Sequence, residues 1–230
     1  MTITMITDHG LTMLLAWTSP SYPVGAFSYS HGLEVAVEAG QVTDRHTLID
    51  YITAVMARGG GWTDLVVFAH AHRTANDPAA FDAISEYAAA FRASSETALE
   101  SHQMGFSFLS VTRKAYPHPG LDACAARNAH HPVAHPAIAA LACGLHGIPL
   151  APALTAWGHG TAANLVSAGV RLVPLGQTDG QIAIAALAPV IALAATRAQN
   201  TEFEDLGTSA PLLELASLAH ETQYSRLFRS

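Results

Sequence analysis

Histidine is the residue type in this sequence that most invites a chemical role, because thirteen of the 230 residues are histidines. Imidazole is a good ligand for nickel and zinc, so His130, His131 and His135 in a proline-rich stretch are the candidates for a metal site or a metallohydrolase. A zinc protease would need His-Glu-x-x-His on one helix, and that pattern is absent. We therefore expect no dedicated metal site, and we keep a His-dependent metal-binding protein or metallohydrolase as the alternative.

Nucleophilic and nucleotide chemistry are also poorly supported. Ser28 lies near His31 in sequence, but a Gly-x-Ser-x-Gly elbow follows a strand, whereas here prolines precede the serine. Helix capping is the simpler interpretation of Ser28. The Walker A motif is missing and Lys114 is the only lysine, so we do not expect the chain to hydrolyse GTP. The sequence thus predicts a protein that is not an enzyme and carries no cofactor.

Charge and composition limit the classes of partner. The net charge is −7, so the chain offers no basic stripe for a phosphate backbone, and nucleic acid is not an expected partner. Only 13% of the residues are charged, against roughly 25% in an average soluble protein. Apolar surface left by this low charge needs cover, which predicts a homodimer. The alternative is that abundant alanine inflates the apolar average.

Membrane insertion and secretion are not predicted. No apolar run reaches the ~20 residues that a spanning helix needs, and the nearest, residues 182–195, is interrupted by Pro189. The first residues lack the basic and apolar regions of a signal peptide. Cys124 and Cys143 are expected to be free thiols. We therefore expect a cytoplasmic protein, with residues 1–9 flexible.

Hydrophobic periodicity predicts helices along most of the chain and no strand. The expected helices include one ending before Pro20, one from His46 to Arg58 that the Gly59-Gly60-Gly61 run ends, one over Thr63 to Thr74, one opened by Asp77 and Pro78, one capped by Ser94 or Ser95, and a last one from Pro211 with Leu212, Leu215 and Leu218. Residues 1–230 should form a single all-α domain, a bundle of roughly eight to ten helices. Loops are expected at 117–136, with a short helix over Leu121 to Asn128 as an alternative, and at 199–210. Pro189 should kink its helix.

A segment near the start of the chain organises the rest. In Ser19-Pro-Ser-Tyr-Pro-Val-Gly-Ala-Phe-Ser-Tyr-Ser-His-Gly-Leu-Glu34, two prolines exclude helix and a glycine permits a bend. Ser28 and Ser30 are both plausible N-caps of the short helix that follows. Tyr22, Phe27 and Tyr29 are three aromatics in a stretch too short to build a core, so they must pack elsewhere or meet a partner.

This segment strongly resembles the N-terminal signature of the UreF family of urease accessory proteins. Two further blocks match the family: Asn164-Leu-Val-Ser-Ala-Gly-Val-Arg-Leu-Val-Pro-Leu-Gly-Gln-Thr-Asp-Gly-Gln181 and His220-Glu-Thr-Gln-Tyr-Ser-Arg-Leu-Phe-Arg-Ser230. The resemblance implies an accessory protein that helps deliver nickel to apo-urease. It also implies partners: a dimer that bridges UreD (also called UreH) to the GTPase UreG, and the urease apoprotein itself.

The candidate partner-binding residues come from these three blocks. They are Tyr22, Phe27, Ser28, Tyr29, His31, Glu34, Arg171, Gln177, Asp179, Gln181, Tyr224, Arg226, Phe228 and Arg229. For the middle block, capping and mutual pairing is an equally good interpretation. The tail at 224–230 combines arginines with aromatics, the types enriched at interface hot spots. We expect it to be poorly ordered until a partner binds, the alternative being that it packs on its own core with Phe228 buried.

Overall fold

The fold is built entirely from helices. A computed structural model describes residues 5–230, and within that range it has eleven α-helices, two 3-10 turns and no strand. The helices are α1 (Asp8–Trp17), α2 (Leu33–Glu38), α3 (Arg45–Arg58), α4 (Gly60–Arg73), α5 (Pro78–Ala90), α6 (Ser95–Ala115), α7 (Pro119–Arg127), α8 (His135–Leu145), α9 (Leu150–Leu172), α10 (Gln177–Gln199) and α11 (Pro211–His220). The all-α prediction is confirmed, with one helix more than the expected range.

Side-chain caps begin several helices at the positions that the sequence predicts. Asp77 accepts a hydrogen bond from the amide of Ala80 at 3.1 Å, and Pro78 takes the first position of α5. Ser94 accepts from the amide of Thr97 at 3.2 Å, while the Thr97 hydroxyl accepts from the amide of Ser94. Such caps satisfy amides that no intrahelical partner can reach, which fixes where each helix starts.

The core lies around α4 and α8, which pack against each other. In α8 every residue from His135 to Cys143 is buried, and four of these nine residues are alanine. Small side chains let the two helices approach closely: a Cβ placed on Gly144 would lie 2.5 Å from the Cβ of Ala75. α6 packs on α8, α2 packs on α9, and α11 packs on α2 at the side of the molecule where the three blocks meet.

The glycine run at 59–61 ends α3 after Arg58, as predicted, but it also begins α4. Gly59 ends α3 in an extended conformation, but Gly60 and Gly61 form the first turn of α4. A Cβ on Gly61 would lie 2.8 Å from the sulfur of Met56, so glycine lets the new helix start directly against the old one. The prediction that α4 begins near Thr63 is therefore wrong by one turn.

Other boundaries also differ from expectation. Of the segment expected to be flexible, residues 1–4 lie outside the described residues, and α1 already begins at Asp8, capped by the Thr7 hydroxyl. The stretch 117–136 contains α7 and the start of α8, whereas 199–210 holds only a 3-10 turn at Phe203–Asp205. α10 runs through Pro189 without a break in helical assignment, so the kink stays a prediction.

α10 leaves an apolar face uncovered. It is the one helix among residues 5–230 that is long and apolar enough to cross a membrane by length and composition, a test that core helices also pass. Only 33% of its most apolar stretch is buried, against α9 and α3. The outward residues, which we call the α10 strip, are Ile182, Ala185, Ala186, Pro189 and Leu193.

Candidate partner-binding surface

The signature segment (residues 19–38) turns by means of residues with positive φ. Gly25 has φ 82° before a 3-10 turn at Ala26–Ser28, and His31 (φ 53°) and Gly32 (φ 76°) lead into α2. The N-cap of α2 is Gly32, so the prediction that Ser28 or Ser30 occupies that position is wrong. A Cβ on Gly32 would lie 2.9 Å from the amide nitrogen of Ser217, which shows that α11 packs directly on this turn.

The three aromatics of the signature segment have different fates. The Tyr22 hydroxyl is hydrogen bonded to Thr112 at 2.8 Å, and its ring lies beside Phe108. Tyr29 is buried and donates to the side-chain oxygen of Gln103 at 2.9 Å. Phe27 is 66% exposed. Packing therefore accounts for the two tyrosines, and Phe27 alone is available to a partner.

The tail, residues 224–230, lies along α2 and α6 rather than extending into solvent. Glu34 of α2 is buried and accepts hydrogen bonds from the amides of Leu227 at 2.7 Å and Phe228 at 3.0 Å. The amide of Arg229 donates to the main-chain oxygen of Ser28 at 2.8 Å. The prediction that the tail is poorly ordered in the free chain is wrong, because the chain itself supplies acceptors for the amides of the tail.

Two carboxylates bind His220 at the end of α11 and Arg226 in the tail. The fully buried ring of His220 places Nδ1 2.6 Å from Oε2 of Glu96 and Nε2 3.3 Å from Oε2 of Glu34. Arg226 forms an ion pair with the other oxygen of Glu96. Arg226 is thus already paired within the chain, and it is not the free anchor that the sequence suggested.

A second histidine and carboxylate fix the last residue. Nε2 of His31 lies 3.0 Å from Glu100, and the Ser230 hydroxyl donates to the other Glu100 oxygen at 2.6 Å. The main-chain oxygen of Ser230 accepts from the amide and the hydroxyl of Ser30 at 2.7 and 2.5 Å. We call Glu34, Glu96 and Glu100 the carboxylate cluster.

The His31–Glu100 pair shifts the protonation of both groups. Burial alone would lower the pKa of His31, but the charge of Glu100 and its hydrogen bond outweigh this, so the pKa of His31 is raised. Burial alone would raise the pKa of Glu100, but the charge and hydrogen bond of His31 and the hydrogen bond from Ser230 leave it lowered. Both shifts favour the ionised pair.

The middle block completes the contact between the ends of the chain. The buried ring of Phe228 lies under the guanidinium of Arg171, 4.4 Å from its centroid, and Asn164 donates to the main-chain oxygen of Ala26 at 2.9 Å. All three family-like blocks therefore meet at one place. This packing leaves Phe228 unavailable as an exposed anchor.

The other candidates of the middle block divide between pairing and exposure. Asp179 pairs with Arg45 at 2.7 Å and accepts from the amide of Gly176, which is the capping role weighed against recognition. Gln177 and Gln181 are exposed. Among the tail candidates, Tyr224 is fully exposed and the Arg229 side chain is also exposed.

α11 has its polarity reversed. Its inner face carries the buried Ala216, Ser217 and His220 and the partly buried Leu213, and Ser217 is hydrogen bonded to Ser94 at 2.7 Å. Its outer face, the leucine face, consists of Leu212, Leu215 and Leu218, which are 74%, 59% and 45% exposed. A helix that turns leucines to solvent while its polar side is held by hydrogen bonds is typical of a binding surface.

Two hollows flank these elements. A cavity of about 500 Å³ lies beneath the signature segment, between α4, α6, α9 and α11. It is lined by the His31–Glu100 pair and by the Asp64–Arg92 ion pair, whose atoms lie 2.7 Å apart. A groove of about 380 Å³ lies on the other side of the segment, bordered by Phe27, Phe106 and Arg229.

The alternative metal hypothesis loses its ligand set. His130 and His131 are exposed, whereas the ring of His135 is buried against Trp157 with ring centroids 4.7 Å apart. Burial lowers the pKa of His135 to about 3, so it is neutral at any physiological pH. Across residues 5–230 there is no group of three or more His, Cys, Asp or Glu side chains able to hold one ion. The three histidines therefore do not form one site.

Sequence reasoning missed Glu96, Glu100, Ser217 and His220 as members of this surface. On an amphipathic helix a carboxylate usually lies on the solvated face, so periodicity alone gave no reason to place Glu96 and Glu100 in a buried contact. One signal was available in the sequence. The tail carries two arginines and main-chain amides, which need hydrogen-bond acceptors when the tail packs against the chain.

Known proteins resemble this chain over nearly its whole length. The UreF family model matches residues 42–188, between the signature segment and the tail. The chain is 47% identical over 222 residues to "Urease accessory protein UreF" of Rhodopseudomonas palustris, covering 96% of this chain and 91% of the relative. It is 47% identical over 225 residues to the protein of that name in Granulibacter bethesdensis (97% and 95% covered) and 46% identical over 222 residues to that in Xanthobacter autotrophicus (96% and 91%).

Proposed function

The chain belongs to the UreF family of urease accessory proteins, and we propose that it is a non-enzymatic scaffold needed for the insertion of nickel into apo-urease. It bridges UreD (also called UreH) and the GTPase UreG, and it couples GTP hydrolysis by UreG to metal delivery. It works in the cytoplasm as a homodimer. The chemistry belongs to the partners, because this sequence has no Walker A lysine with which to hold a nucleotide phosphate.

The reversed polarity of α11 carries this proposal. Three leucines at helical spacing point to solvent on a helix whose inner face is fixed by hydrogen bonds to α2 and α6. An apolar helix face of this kind fits a hydrophobic groove on a partner protein. Phe27 and Phe106 add exposed aromatic area at the neighbouring groove. We assign the leucine face to UreD.

Leu215→Asp tests this assignment. An aspartate there leaves the fold unchanged, because Leu215 is 59% exposed, and exposed substitutions usually change stability by less than about 0.5 kcal/mol. Burying that charge in an interface should weaken UreD binding by about 30-fold or more, the effect of a hot-spot loss near 2 kcal/mol. Gel filtration and calorimetry with purified UreD measure this.

Leu15→Asp is the matched control for that experiment, since Leu15 is 65% exposed on α1 and lies outside the proposed contact. It should bind UreD like the unchanged protein. Equal affinity of Leu215→Asp and Leu15→Asp for UreD would contradict the assignment of the leucine face.

The proposed homodimer uses the α10 strip. No charged residue lies between Asp179 and Arg197 on α10. Two copies of the helix can therefore pack antiparallel across a two-fold axis, which places Asp179 of each copy at the same end as Arg197 of the other. Its alanines permit close approach of the helices.

Light scattering at micromolar concentration should show a dimer, and Leu193→Asp should give a monomer while Leu15→Asp does not. A monomer for the unchanged protein would contradict the homodimer.

A further inference from the structure

Two histidines contact the carboxylate cluster, which in turn holds the tail. Both ring nitrogens of His220 face carboxylate oxygens, Glu96 at 2.6 Å and Glu34 at 3.3 Å. A neutral imidazole carries only one N–H and would present a lone pair to the second carboxylate. The two hydrogen bonds together need a second proton, supplied by the imidazolium form of His220 or by one of the two carboxyls.

The side-chain charges of the carboxylate cluster are balanced when both histidines are protonated. His220 faces Glu34 from α2 and Glu96 from α6, and Arg226 of the tail pairs with Glu96. With His31 and His220 charged, three cations compensate the three carboxylates of the carboxylate cluster. Loss of either proton leaves a buried carboxylate uncompensated, which is costly at low dielectric.

The remaining charges near His31 do not alter this balance. Asp64 of α4 and Arg92 after α5 both act on His31, but they pair with each other at 2.7 Å. From the tail side, the Arg229 side chain acts on the neighbouring Tyr29. Glu100 therefore remains the carboxylate that sets the protonation of His31.

We propose that protonation of His31 and His220 controls the position of the tail: it is held on α2 and α6 while both imidazoles are charged, and it is released as the pH rises. This inference rests on the proposed function, because it gives the proposed partner-binding surface a pH-dependent regulation. The release of the tail itself involves only this chain.

The direction of the pH dependence follows from the pKa shifts of His31 and Glu100. The pKa of His31 is raised in the closed state above its ordinary value of 6.5. The stabilisation of the closed tail by protonated His31 is therefore complete below that ordinary pKa and is lost as the pH rises through the raised pKa. The lowered pKa of Glu100 keeps its carboxylate ionised throughout this range.

Hydrogen exchange on the full-length protein tests the proposal. The amides of Leu227 and Phe228, which donate to Glu34, report tail opening, and the amide of Leu141 in the core helix α8 is the reference. After correction for intrinsic exchange, the opening constant of the tail should rise with pH by up to about tenfold per unit for each proton released. The Leu141 amide should show no such rise.

Substitutions identify the groups responsible. His31→Gln and His220→Gln should each reduce the slope of opening against pH, whereas His130→Gln, at an exposed histidine, should keep it. A tail that follows the core reference at every pH, or His31→Gln with the unchanged slope, would overturn the proposal. If His220→Gln does not fold, the titration of the unchanged protein and His31→Gln decide. UreD is not part of this readout, so failure of the proposed binding role is detected separately.

Discussion

Replacing Glu34 with alanine should lower the free energy of unfolding by about 3 kcal/mol, the lower end of what removal of one partner from a buried charged pair costs. Three groups lose their acceptor at once: the amides of Leu227 and Phe228 and the ring of His220. For a chain of this length that corresponds to a fall in the thermal midpoint of roughly 6–12 °C. Differential scanning calorimetry measures both quantities.

Glu38→Ala is the control on the same helix. Glu38 is exposed and accepts only from the side chain of Gln223, at 2.6 Å, so its loss should change the free energy of unfolding by less than about 0.5 kcal/mol. Equal midpoints for Glu34→Ala and Glu38→Ala would mean that the tail contributes nothing to stability.

Phe228→Ala should have an effect of similar size through a different interaction. Phe228 is 4% exposed, and truncating a buried phenylalanine costs about 3 kcal/mol or more. The guanidinium of Arg171 also loses the ring that it covers. Because the residue lies near the end of the described chain, we expect loss of protection in the tail before global unfolding, and hydrogen exchange distinguishes the two.

Leu227→Ala is the matched control one residue away. Leu227 is 64% exposed, and only its amide contacts Glu34, which alanine preserves. Tail protection should therefore remain close to that of the unchanged protein. If Leu227→Ala and Phe228→Ala release the tail equally, the buried ring is not what holds it.

The helices of this fold could be predicted because their causes are local. Asp77 with Pro78, and Ser94 with Thr97, fix the start of α5 and α6 within a few residues of sequence. The glycine run was misread because Gly61 is needed for close contact with Met56, a constraint that arises only once α3 and α4 are packed.

The surface formed by the three blocks could be predicted only in part. The blocks themselves were identifiable, but Ser30 and Ser230 are separated by 200 positions, and no local pattern indicates that they are hydrogen bonded. The tail was expected to await a partner because the acidic stretch before it offers little apolar area. Glu34 and Glu100 reverse that conclusion by supplying buried acceptors.

The orientation of α11 was equally beyond the sequence. Leu212, Leu215 and Leu218 form the kind of stripe that usually faces a core. The elements beneath the helix present Ser94, Glu34 and Glu96, so its serine and histidine turn inward and these three leucines turn outward. Departures of this kind from local rules concentrate at functional surfaces.

Reconstitution of urease activation tests the scaffold role most directly. Purified apo-urease, UreD, UreG, GTP and nickel are combined with and without this chain, and nickel bound per urease is measured by mass spectrometry alongside urease activity. We predict that nickel enters urease only when the chain is present, that Leu15→Asp supports loading and Leu215→Asp does not, and that the isolated chain releases no phosphate from GTP. Equal loading without the chain, or GTP hydrolysis by the chain alone, would contradict the account.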